Sequence, residues 1–415
     1  MNEVNWRNVR HSFSETSDRR LQAELDVLLR RLHERARALI GATTHSDPRE
    51  RRRLVDAVER GQHAKPQWQW KAVPVDSTAW RDLDRARHLA EHCVAPGLYL
   101  GRLEELETEL LLLESLGQPK RVRPMAARLF GTGSERVFDD SDVRVLDAAH
   151  DLLGGTEPDG EPKVVPADSA EGPSLAALML SHAQEVGIHI AVRVDARLIA
   201  NAAVGERTVF IADRLFGERE AKRLAVHEVY GHLVSGFNGR TQRLGVLAIG
   251  TARSHGDQEG VAIFLEELGG FLDGSRRRTL AGRLLATHAM HAGVAFGDTT
   301  RVLHSDHGFS PAESVTLCER AFRGGGVGRD AVYLTSWLRV RRAVLEGHLS
   351  LAELQLGKVS LGSVADLRRL RRDGFVGQPR YLSNLACSLG KTGPGTKSAT
   401  SPPSLATSFT RLDAT

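Results

Sequence analysis

The segment HEVYGH, residues 227 to 232, holds the residue types of a hydrolytic metal site: His227 and His232 offer imidazole nitrogens, and Glu228 offers a carboxylate beside the first. Zinc peptidases place two neutral imidazoles on one helix and take a third ligand from elsewhere. They add a carboxylate that accepts the proton of a metal-activated water. The usual spacing is HExxH, in which a four-residue step stacks the second ring nearly above the first. Here the step is five. On an ideal helix that separates the two rings by roughly 140°, and both cannot reach one ion.

A π-bulge, which takes one extra residue into a turn, would bring the rings back to a common face. Gly231, directly before His232, is the residue best able to accept the backbone adjustment, at a cost of up to about 1 kcal/mol in helix propensity. The six letters alone fit two core histidines near a glutamate equally well, since the chain has 17 histidines. The metal reading gains from DQEGVA at 257 to 262, where Glu259 lies on the next expected helix as a source for the third ligand.

The elements that must position these groups can be read from periodicity. FGEREAKRLAVHEVYGHLVSGFNG carries acids in its first turn and Asn238-Gly239 at its expected end, so the motif lies on a helix. Before it, Ile188, Ile190, Val192 and Val194 alternate with less apolar neighbours, and Val209 and Ile211 follow, a pattern for two or three strands including a hairpin. Residues 256–272 and 276–294 read as further helices, and SPAE at 310 to 313 reads as a capping box. Leucines at helical spacing between Arg19 and Ile40, and GRLEELETELLLLESLG ending at Gly117, make the first third mostly helical. We therefore expect a mostly helical region over 1–153 and a Gly-, Pro- and acid-rich linker or surface loop over 154–173. The domain carrying the motif spans 174–382, followed by a disordered Ser/Thr/Pro/Gly tail over 383–415. The fold class is α+β, predominantly helical, with a small β-sheet beside the metal-binding helix.

Composition narrows the function. Of the 415 residues 41% are hydrophobic and 26% charged, which is the make-up of a folded globular protein. The formal charge of +4 is small, and acids alternate with arginines, so nucleic acid is not an expected partner. Three scattered cysteines make no disulfide framework, and no apolar run of membrane length appears, so a soluble, cytoplasmic protein with no membrane partner is expected.

Together with NGRTQ (238–242), LHSDHGFSP (303–311) and FRGGGVGRDAVYL (322–334), the HEVYGH and QEGVA blocks make the chain resemble a known family. It resembles the HExxxH zincin-like proteins that include the microtubule-associated tyrosine carboxypeptidases and the bacterial flavohemoglobin expression-modulating QEGLA motif proteins. The resemblance runs from the first helices to PRYL at 379 to 382. It implies a zincin-like metallopeptidase core, with zinc (Zn2+) held by His227, His232 and Glu259 and with Glu228 as the catalytic base. The implied activity is that of a carboxypeptidase acting on a peptide or protein C-terminus. The alternative is a non-catalytic regulatory or binding protein on the same scaffold.

Departures from the pattern are modest: Val261 stands for the usual leucine, Tyr230-Gly231 for smaller residues, and Arg329 for lysine. Tyr230 could alter access to the metal. A carboxypeptidase also needs a cation for the terminal carboxylate and a donor for the developing oxyanion, and Arg323, Arg329 and Tyr333, around the GGGVG loop, are the candidates. A glycine-rich connection with solvated arginines fits these residues as well. His288 with His291, and His304 with His307, are expected to be helix-surface or satisfied polar residues. His255 is a candidate supporting residue near Glu259, and Asn238 and Gln242 are expected to brace the metal helix.

Overall fold

The computed structural model describes residues 6–391, apart from 44–46, 156–162, 171, 197 and 199. Helices dominate, and the strands are few and short, as the α+β reading anticipates. Strands β1 (Val164–Val165) and β5 (Phe216–Gly217) form an antiparallel pair. Between them β2 (Ala191–Asp195), β3 (Ala202–Val204) and β4 (Thr208–Ala212) make a three-stranded sheet in the order β2-β4-β3. The hairpin is β3–β4, closed where the Gly205 amide donates to the Thr208 carbonyl at 2.7 Å. β2 joins β4 in parallel, with Val192 beside Val209 and Val194 beside Ile211. Ile188 and Ile190, expected in the first strand, lie just before it; Ile188 is buried and Ile190 packs against the core.

The chain leaves β5 directly into a helix that runs without a break from Glu218 to Thr241. Glu218 and Glu220 oppose the dipole of its first turn. Its middle, Val226–Leu233, is π-helical, and the Val234 amide bonds the Val229 carbonyl five residues back. The extra residue demanded by the motif spacing is absorbed there. Asn238 and Gly239 do not end this helix; they lie buried in its last turn. The Asn238 Nδ2 donates to the carbonyls of Gln355 and Tyr381 at 2.7 and 2.8 Å, while its Oδ1 accepts from the Arg380 and Tyr381 amides, both at 2.8 Å. Gln242 accepts from the Gly377 amide at 2.8 Å, so both residues brace the metal helix against the segment leading to PRYL.

Helix Ser254–Leu268 lies between the π segment and helix Ala331–Leu345. Small residues allow the close approach on both sides. A Cβ on Gly231 would stand 2.5 Å from Ala262 Cβ, and one on Gly260 would stand 2.5 Å from the Ser336 carbonyl oxygen. Gly231 has no left-handed φ, so the glycine serves close packing rather than an unusual backbone conformation. The QEGVA block is thereby divided by task. Gln258 Nε2 holds the carbonyls of Leu354 and Val359 at 3.1 and 2.9 Å, and Gly260 and Ala262 admit the two neighbouring helices. Glu259 is left to face the histidines.

One buried cluster draws on both sides of the 154–173 stretch, from Leu25, Leu29 and Tyr99 to Phe216, Val229, Phe264 and Trp337. A second, built on Leu54, Met290, Phe296, Phe309 and Val315, packs helix Pro48–Glu59 against helices Gly274–His291 and Pro311–Gly326. Part of the expected linker lies outside the described residues; its described part contributes β1. Residues Asn384–Lys391, within the stretch expected to be disordered, are helical, and 392–415 lie outside the described residues. All three cysteines are free, and no described helix is long and apolar enough to cross a membrane.

Candidate metal centre

The π turn brings His227 and His232 onto one face with their Nε2 atoms 3.3 Å apart. Glu259 Oε2, from the neighbouring helix, lies 3.4 Å from His227 Nε2 and 3.6 Å from His232 Nε2. Tetrahedral zinc with Zn–N and Zn–O bonds near 2.0–2.1 Å would hold neighbouring ligand atoms about 3.3–3.4 Å apart. The three atoms therefore have the spacing of one face of such a site. Glu259 Oε2 is buried with no hydrogen-bond partner among the described residues, which is the condition of an acceptor facing a cation's position. The residues present fit a divalent metal.

Glu266 supports this face from behind. It lies two turns beyond Glu259 on the same helix, and its Oε1 is 2.7 Å from His227 Nδ1. A proton on Nδ1 then donates to Glu266 and leaves the Nε2 lone pair toward Glu259 and His232. Glu266 is fully buried and held by Arg276, at 2.9 and 3.0 Å, and by Arg223 at 3.3 Å. Burial opposes its charge, but the two guanidiniums outweigh it and hold the carboxyl far below the usual carboxylate range. Burial likewise disfavours a charged His227, yet the neighbouring carboxylates of Glu259 and Glu266 push it up to about 9. Glu259 is held well below the usual range against its burial, chiefly by His232 and His227.

Glu228 is buried beside His227 and has no hydrogen bond or ion pair among the described residues, so its carboxylate is uncommitted. Tyr230 does not cover the metal face. Its ring stacks on His182 with centroids 4.7 Å apart, and its hydroxyl donates to Glu185 at 2.5 Å, tying the π segment to helix Leu175–Glu185. His255, one turn before Glu259, accepts from Arg329 Nη2 at 3.0 Å and packs edge-on against Phe130. Burial, with Arg329 adding to it, pushes His255 down to about 3, so it stays neutral.

Of the three residues expected to meet substrate, Tyr333 feels the charge of Glu259 directly. Burial, with the charge of Glu259, pushes its hydroxyl up to about 12. Arg329 is engaged by His255, while Arg323 lies among Arg320, Asp330 and Glu319. The GGGVG stretch is a pinned turn and not a flexible loop. Gly324, Gly325, Gly326 and Gly328 all have positive φ, and a Cβ on Gly326 would stand 2.7 Å from Met290 Sδ.

Sequence reasoning missed Glu266, Arg276 and Arg223, although an acid seven residues beyond Glu259 and an arginine four before His227 fall on the facing sides of their helices. It also missed Arg283 and Arg320, which meet at Asp330. The other histidine pairs differ from each other. His304 Nδ1 is satisfied by the Phe309 carbonyl at 2.7 Å, whereas His288 Nδ1 and His291 Nε2 are buried without a partner among the described residues. Another group able to hold a cation, His88, Glu91 and His92, is exposed.

A family model described as microtubule-associated tyrosine carboxypeptidase matches residues 58–394, most of the chain. A comparison with curated proteins gave no match.

Proposed function

Because the chain belongs to the microtubule-associated tyrosine carboxypeptidase family, we propose that it is a zinc-dependent peptidase, a carboxypeptidase acting on a peptide or protein C-terminus. The reading rests on one observation above others: two imidazoles and a carboxylate, 3.3 to 3.6 Å apart, converge around an otherwise unpartnered Glu259 oxygen. His227, His232 and Glu259 would hold the ion, in a zincin-like core. Zinc bound there supplies Lewis-acid polarisation of the scissile carbonyl and of an attacking water.

Glu228 takes the proton of that water and returns it to the leaving amine; its lack of other partners suits the task. Tyr333, kept protonated at neutral pH, donates to the oxygen on which negative charge develops. Arg323 and Arg329, on the two sides of the glycine turn, add to the positive field around the substrate, Arg329 being bonded to His255. Glu266 orients His227 and touches no substrate.

The test is metal analysis of the purified protein, followed by digestion of a peptide library read by mass spectrometry. One tightly held zinc and loss of single residues from free C-termini are expected. Glu228→Gln should keep the zinc and lose at least about 100-fold in rate, whereas His227→Ala should lose the ion. A native rate in Glu228→Gln, or a protein without stoichiometric metal, would overturn the proposal. Retained zinc with no cleavage of any peptide would favour the binding-protein alternative.

A further inference from the structure

Three guanidiniums beside Tyr333 share one carboxylate. Arg320 donates twice to Asp330, from Nε to Oδ2 at 2.5 Å and from Nη2 to Oδ1 at 2.9 Å. Arg283, from helix Gly274–His291, comes no nearer to Asp330 than 3.7 Å, and its Nε has no hydrogen-bond partner among the described residues. The Nε of Arg323 is also buried without one. Of the other acids nearby, Glu319 pairs with Arg51 at 2.6 Å, Glu266 pairs with Arg276 and Arg223, and Glu259 faces the histidines. Positive charge is thus left in excess in a place where an uncompensated charge is costly.

The cluster is still reachable. Arg283 and Arg320 keep 18% and 23% of their side-chain surface, so both touch solvent. It also adjoins the ligand set. The Arg283 guanidinium lies 4.9 Å from the centre of the Tyr333 ring, and Tyr333 sits on the helix packed against that of Glu259. Burial and the neighbouring Arg320 push Arg283 down to about 10, so its charge lacks a full partner within the chain.

We propose that Arg283 and Arg320 form the subsite that receives the α-carboxylate of a peptide C-terminus, with Asp330 fixing Arg320 in place. This deepens the carboxypeptidase reading and rests on it. Asp330 sets the rigid fork of Arg320, and Arg283 supplies the unpaired donors that an incoming carboxylate completes. Tyr333 adjoins both the subsite and the ligand set, with Arg283 over its ring and the charge of Glu259 acting on its hydroxyl. A substrate held by its end would present its last peptide bond, and exo-cleavage follows from where the cations lie.

The probe is a mixture of hexapeptides randomised in the last two positions without Asp or Glu, made as free acids or as C-terminal amides. Binding is read by fluorescence anisotropy to zinc-loaded Glu228→Gln protein, which holds substrate without turnover. Acids should bind about 10- to 100-fold more tightly than amides, the range for charge-assisted hydrogen bonds. Arg283→Gln in that background should bring the ratio to near one while zinc content and cooperative unfolding are retained, and Arg283→Lys should restore part of it. Equal binding of acid and amide, or a ratio that survives Arg283→Gln, overturns the subsite and leaves hydrolysis standing. A preference for acids that depends on Arg283, in a wild-type protein that cleaves nothing, keeps the subsite and sinks the peptidase reading.

Discussion

Glu266 shows how far the metal centre extends beyond its ligands. Among the described residues its carboxylate meets His227 and two arginines, and its oxygen at His227 Nδ1 favours the tautomer with the proton on that nitrogen. Glu266→Gln should therefore lower zinc affinity about 10- to 100-fold, measured by competition with a chromophoric chelator, with the fold retained. An unchanged affinity would reduce Glu266 to a packing role. The grouping of His227, His232 and Glu259 was legible in the sequence, the histidines from the HEVYGH spacing and the glutamate from the QEGVA block on the next helix. Arg283 and Arg320 were not, since they meet through the crossing of separate helices that no local spacing records. Tyr230, which could have altered access to the metal, points instead to His182 and Glu185, a direction fixed by a helix distant in sequence.

Among the elements, the π segment and helix Ser254–Leu268 act as one unit. The five-residue motif spacing implied an added residue in the helix, and the structure has it at Val226–Leu233. The part assigned to Gly231 was different, because a neighbouring helix, invisible to local sequence, sets its size. Gly231→Ala should cost about 1–3 kcal/mol as overpacking and part the histidines from Glu259, lowering both the melting temperature and the bound zinc. A variant with native stability and native zinc would show that the contact with Ala262 relaxes freely. Helix ends were legible where side chains state them. Ser310 and Glu313 cap each other as SPAE predicts, with amide-to-side-chain bonds of 3.2 and 2.8 Å. The order of the small sheet was not, because the parallel partner of β2 lies beyond β3 in the chain and only the hairpin is local.

Across the whole molecule, buried ion pairs link the site to stability. Asp330 is held down to about 2 from its ordinary 3.8, its burial outweighed by Arg320 and Arg283. A carboxyl depressed in this way stabilises the folded chain above about pH 4, and that contribution, about 2 kcal/mol, is lost as the pH falls through about 2. Asp330→Asn should thus be less stable at pH 7 by denaturant unfolding, and its deficit should shrink between pH 4 and pH 2.5. A deficit constant over that range would remove Asp330 from the acid response.

The carboxamide of Asn238 sets how far this polypeptide can be shortened. A stop codon placed after Lys391 removes none of its four partners, whereas one placed before Arg380 removes three and strands polar atoms inside the protein. Limited proteolysis and nested deletions should therefore find the smallest soluble fragment ending beyond Tyr381, because the far end of the chain latches the helix that carries both histidines.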